Sequence, residues 1–146
     1  MTGYLYHGTP CKNVRSICEQ GILRGTKERC SKITKEAGLG QSFVSDCIGN
    51  VSLAVDKQDA RFFCVANKEC YSKPEPQCII KVRTDRLDQG KMEFRDMFGK
   101  ASAEVQYYDD VPVEAIANVQ VRSRTKQEGG TTKWVTKVHK CPVGEL

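Results

Sequence analysis

Tyr4-Leu5-Tyr6-His7-Gly8-Thr9-Pro10, followed by Val14, Ile17 and Cys18 at helical spacing and then by Gly21-Ile22-Leu23, is the stretch on which the fold of this chain turns. Residues 3–8 read as a strand, because aromatic and aliphatic side chains alternate there as on a pleated surface. Pro10 has no N–H to lose at the first position of a helix, Val14, Ile17 and Cys18 make one apolar face, and Gly21 is a stop. The predicted helix packs on the first strand. A strand that ends in His-Gly-Thr brings an imidazole, a hydroxyl and two unobstructed backbone groups to one point, a set suited to grasping a polar ligand.

Beyond this opening the elements alternate in type. Residues 24–50 are polar and contain Gly25, Gly38, Gly40 and Gly49, which predicts a long flexible loop over a site. Val51-Ser52-Leu53-Ala54-Val55 reads as a half-buried strand, and Asp56 is placed to cap a helix running through Ala60, Phe63 and Cys64. After the turn at Lys73-Pro74-Glu75-Pro76, Cys78–Val82 is a strong strand that ends in a turn at Asp85, Leu87 and Gly90. Residues 103–108 form another, followed by a turn at Asp109-Asp110-Val111-Pro112. A strand through Ile116, Val119 and Val121 and an edge strand over Lys133–Val138 complete the chain. Six or so strands with two helices near the front predict an α+β fold of mixed sheets with few helices, in one domain spanning residues 1–146.

The bulk properties narrow the function classes. No apolar run approaches the roughly 20 residues that span a bilayer, and the N-terminus lacks a basic start with a long apolar segment, so a soluble, cytoplasmic protein is expected. Eight cysteines, at 11, 18, 30, 47, 64, 70, 78 and 141, include no Cys-x-x-Cys, and there are two histidines. They read as buried small apolar residues, with no metal site and, in a reducing compartment, few disulfides. The net charge of +5 is unevenly spread. Residues 1–40 carry seven Lys/Arg against three acids, residues 41–120 ten against thirteen, and residues 121–146 six against two. If the two ends lie side by side, they form a positive face able to meet phosphates; the alternative is a solvated face.

Three pieces carry chemistry: His7-Gly8-Thr9 at a strand end, Ser52-Leu53-Ala54 on the strand before a helix, and Glu104 early in a late strand. In order and setting they resemble the ADP-ribosyltransferase fold, over about Tyr4 to Val121. Two branches are similar. Tyr6-His7-Gly8-Thr9, Ser16-Ile17, Gly21-Ile22, Val51–Ala54 and Val111-Pro112 with Ile116 resemble the transferase lobe of RNA 2′-phosphotransferases. Ala103-Glu104-Val105 ahead of Val111-Pro112 resembles the DarT-type toxins that modify DNA, and the glutamate favours this branch. The phosphotransferases use a further N-terminal lobe, which a chain opening on the His-Gly-Thr strand is expected to lack.

The resemblance implies NAD as a consumed co-substrate. Glu104 is then catalytic: cleaving the nicotinamide–ribose bond develops oxocarbenium charge, which a carboxylate stabilises. His7 is expected at the adenosine-side ribose, and Gly8 where the nicotinamide amide approaches the backbone. Thr9 would orient that contact or cap the following helix. Ser52 would contact the other ribose or orient Glu104. Many members carry a Tyr in the second-strand region, where this chain has Ser52 and no Tyr before Tyr71. Phe63, or Phe62 beside it, is the ring expected to stack on nicotinamide; the alternative is a core pair. Arg29, ahead of Arg24 and Arg61, is expected at the NAD phosphates in a catalytic role. Tyr107 and Tyr108 would contact the acceptor by stacking on a base, or else be one buried and one exposed strand tyrosine. With the basic ends, they point to RNA or single-stranded DNA as acceptor, and the implied setting is a toxin or an effector of conflict between phage and bacterium, with an antitoxin as a possible partner. A protein acceptor, or an inactive module that only binds nucleotide or nucleic acid, are the competing readings.

Overall fold

Seven antiparallel strands make up the sheet of the computed structural model, which describes residues 3–37, 48–61, 76–97 and 99–143. The strands are β1 (Tyr4–Pro10), β2 (Val51–Ala54), β3 (Gln77–Arg83), β4 (Met92–Met97), β5 (Lys100–Tyr107), β6 (Ile116–Lys126) and β7 (Thr132–His139). Their order is β4-β5-β2-β1-β3-β6-β7. The helices are α1 (Val14–Gln20), α2 (Lys27–Ala37) and the short α3 (Lys57–Ala60). The α+β class expected from the sequence holds, but the expected mixed sheets are replaced by one sheet in which every strand pair is antiparallel. The sheet is nonetheless pinched at one place. β1 and β3 are in register from Tyr4↔Arg83 to Pro10↔Gln77, whereas β1 and β2 meet only at Tyr6↔Ala54.

Alternation sorts the side chains onto two faces. One face carries the main core: Leu5, Leu53, Ile80, Val82, Val105 and Val119, with Val14, Ile17 and Cys18 of α1 packed against them. The other carries Ala54, Ile79, Met97 and Ala103, covered by Ala60 of α3 and flanked by Tyr6. Pro10 ends β1 rather than starting the helix; a 3-10 turn over Cys11–Asn13 precedes α1. Asp56 caps α3 as expected, its side chain accepting from the Gln58 N–H. Phe63 and Cys64, expected farther along that helix, lie outside the described residues.

Two elements depart from the sequence reading. The expected loop at 24–50 contains α2, of which the sequence offers no bulky apolar stripe; Cys30 and Thr34 are its buried residues among those described. Residues 38–47 of that segment lie outside the described residues. β4, unexpected, runs through Glu93, Phe94, Arg95 and Asp96, all exposed on a sheet edge, so no buried alternation marks it.

The cysteines require a correction. Cys11 is bonded to Cys78 and Cys18 to Cys141, each pair with Cα atoms 5.2 Å apart, and Cys30 is also disulfide-bonded. Register explains the first pair: Thr9 lies opposite Cys78, so the residue just past the end of β1 falls within bridging reach. The second ties α1 to the segment after β7, bringing the front of the chain against its end. Spacing along the chain gave no sign of either partner, because 67 and 123 residues separate the bonded cysteines.

Candidate active site

The pinch between β1 and β2 creates the site. Past Tyr6↔Ala54 the two strands part, and the carbonyl of Ser52 takes its hydrogen bond from a side chain: His7 Nδ1 lies 2.9 Å from it. A carbonyl only accepts, so Nδ1 carries the proton and Nε2 of the neutral ring keeps a lone pair. Burial disfavours the charged ring and holds its pKa below the ordinary histidine value, against the opposing effect of the Ser52 carbonyl. At neutral pH His7 therefore presents an acceptor at Nε2.

Ser52 joins His7 to the third residue. β2 and β5 pair with Ser52 opposite Gln106 and Ala54 opposite Glu104. Period-two alternation then sets Ser52, Glu104 and Gln106 on one face, with Ser52 and Glu104 as diagonal neighbours. The Ser52 hydroxyl donates to Glu104 Oε2 at 2.7 Å, and the Gln106 amide lies 3.5 Å from Oε1. The connection runs from imidazole to backbone carbonyl to hydroxyl to carboxylate across the split. Glu104 is half-buried, so one oxygen is held while the carboxylate still faces solvent.

The polar face continues outward. The Tyr108 hydroxyl is 2.6 Å from Glu93 Oε2, to which it donates, and 3.0 Å from Gln106 Oε1. This bond holds the Glu93 carboxyl below its ordinary range and pushes the Tyr108 phenol up. Arg95 Nε lies 3.5 Å from Glu93. Gln106, Glu93 and Arg95 were not singled out in the sequence; Glu104-x-Gln106-x-Tyr108 is a period-two polar pattern that marks Gln106.

Of the residues expected at the site, two hydrogen bonds join His7 to the Ser52 carbonyl and the Ser52 hydroxyl to Glu104. By alternation His7 stems from the face of β1 that carries Leu5 and Thr9, whereas the Ser52 and Glu104 side chains are on the other face, and Gly8 is buried in β1 opposite Ile79. Thr9 is 3% exposed, and its hydroxyl accepts from the Asn13 amide at 3.3 Å. Tyr107 is the buried member of the tyrosine pair. It is 4% exposed within the main core, its hydroxyl accepting from the Asp88 N–H. Tyr108, 40% exposed, is the accessible member of the pair. Arg29 lies on exposed α2 and donates to the Arg24 carbonyl, with no contact to the trio among the described residues. Arg24 is itself held by Asp109 and Asp110. Phe63 lies outside the described residues. Among the described residues no three His, Cys, Asp or Glu side chains gather as a metal site would need, and no helix is long and apolar enough to cross a membrane. No protein-family model matches the chain, and no curated protein matches it in sequence.

Proposed function

We propose that this protein is an NAD-consuming ADP-ribosyltransferase whose acceptor is a nucleic acid, RNA or single-stranded DNA, acting as a toxin or conflict effector. The observation that carries the reading is the linkage of His7 to Glu104 through Ser52 across the split between β1 and β2. Nicotinamide departs with the electrons of its bond to ribose, and the positive charge left on the sugar lies against the Glu104 carboxylate. The acceptor's lone pair then bonds to the sugar carbon while its proton passes to Glu104. His7 Nε2, a lone-pair acceptor, receives a hydrogen bond from a ribose hydroxyl. Ser52 fixes the rotamer of Glu104, and Gly8 offers backbone to the nicotinamide amide.

The test is to incubate the protein with NAD labelled on its adenylate side together with separate pools of RNA, single-stranded DNA and protein. Label on a nucleic-acid pool is the expected result. Label on protein alone replaces the acceptor, and intact NAD throughout leaves a binding module. We place the reaction in the cytoplasm, where NAD and nucleic acid meet. Disulfides persist in oxidising compartments, so thiol trapping during extraction checks the placement: closed Cys11–Cys78 and Cys18–Cys141 bonds in freshly trapped protein would move it outside the cytosol.

A further inference from the structure

The outer face of the β6–β7 hairpin carries a tryptophan flanked by basic side chains. Arg124 lies opposite Trp134 in register, and the guanidinium carbons of Arg122 and Arg124 lie 4.2 and 5.3 Å from the centre of the Trp134 ring. Trp134 remains 36% exposed, Val138 on the same face is 61% exposed, and Lys126 extends the basic row. Register ties this face to the candidate active site. Glu104, Ala54, Tyr6, Lys81 and Asn118 are successive cross-strand partners, and alternation from Asn118 leads to Arg122 and Arg124. Glu104 and the arginines therefore share one face of the sheet; four strand spacings of ~4.8 Å separate Glu104 from Asn118, and four to six residues of ~3.3 Å along β6 lead on to Arg122 and Arg124, which puts the arginines roughly 23–28 Å from Glu104. Arg61, at the end of α3 over this face, has a buried Nε with no hydrogen-bond partner among the described residues. Burial, and then the charge of Arg61, pull the Arg122 pKa down, so two like charges stand together here without a compensating anion among the described residues.

Taking the transferase reading as its basis, we propose that this hairpin face docks the acceptor: single-stranded nucleic acid lies across it, a base stacked on the Arg122–Trp134–Arg124 ladder and phosphates at Arg61, Arg122 and Lys126, its reactive nucleotide reaching towards Glu104. Bases stack on tryptophan rings and on guanidinium planes alike, which an acidic peptide does not exploit.

Trp134 is the only tryptophan in the chain, so its fluorescence reports this face alone. The experiment titrates the protein, without NAD, with a short single-stranded oligonucleotide, and in parallel with polyglutamate of equal charge. The oligonucleotide is expected to quench the tryptophan with an affinity that falls as salt rises; equal quenching by polyglutamate, or none by either, overturns the proposal. By anisotropy of a labelled oligonucleotide, Trp134→Ala is expected to weaken binding roughly 5- to 150-fold and Trp134→Phe less. Arg122→Ala with Lys126→Ala should reduce the salt slope by about 0.7 per phosphate contact removed. Binding that survives all three substitutions overturns the proposal. Binding by Glu104→Ala protein separates the two readings: oligonucleotide bound normally while the native enzyme transfers no label fails the transferase and not the dock, and label transferred equally by native and Trp134→Ala protein fails the dock alone.

Discussion

Ser52 donates to one oxygen of Glu104 and leaves the other within reach of Gln106, which defines two different substitutions. On the proposed transferase reading, Glu104→Ala removes the charge assigned to the developing cation and is expected to lower label transfer by at least about 10²–10³-fold, the scale of a lost electrostatic group, with the fold and most NAD binding retained. Ser52→Ala leaves the carboxylate and removes its anchor; transfer should fall by less, with a stability loss of about 1 kcal/mol in denaturant unfolding. His7 supplies a pH signature. Its folded pKa lies below the unfolded value of about 6.5, so the folded state binds fewer protons than the unfolded one between those two values. Stability is then complete above the unfolded pKa and falls as pH drops through it, at up to about 1.4 kcal/mol per pH unit, until the folded pKa is passed. Thermal unfolding from pH 7.5 to 5 should show this slope. His7→Gln should flatten it.

The elements meet at a close approach between Gly21 and the turn after β5. Gly21 has φ +81°, the left-handed region glycine occupies at little cost, and a Cβ there would stand 2.1 Å from the Val111 carbonyl oxygen. Ile22 and Val111 exchange both backbone hydrogen bonds at this point, 2.9 and 2.8 Å long. Gly21→Ala is therefore expected to cost more than about 2 kcal/mol, since backbone strain adds to the clash; a denaturant midpoint close to that of the native protein would show that the turn yields. The sequence marked Gly21 as a helix stop and Asp56 as a cap because both act through neighbouring backbone. α2 and β4 escaped because their burial is slight, and hydrophobic periodicity reports burial rather than hydrogen bonding.

At the scale of the molecule, two of the disulfides close long loops over a sheet that is continuous except at β1 and β2. Cys11–Cys78 fastens the end of β1 to β3, and Cys18–Cys141 fastens α1 to the far end of the chain. Each restricts the unfolded chain, and removing one is expected to cost about 2–4 kcal/mol. Thermal unfolding with and without a thiol reductant measures this, and Cys18→Ser with Cys141→Ser isolates the second bond; a midpoint unmoved by reduction would mean that neither bond is closed in solution.

The sequence by itself determined the α+β class, the β1, β2, β3, β5, β6 and β7 strands and the helix after β1, because those signals lie in local alternation and caps; it singled out His7, Ser52 and Glu104 by side-chain chemistry. Only the tertiary structure decided the rest. Whether Thr9 and Tyr107 face a ligand or the core depends on what packs above them. Whether Arg29 reaches the trio depends on where α2 docks, and whether two cysteines bond depends on register between strands far apart in the chain. The same holds for the split that lets His7 bond the Ser52 carbonyl: it is a pairing that stops after one residue, and long-range pairing is set by the packing of the whole sheet rather than by either strand.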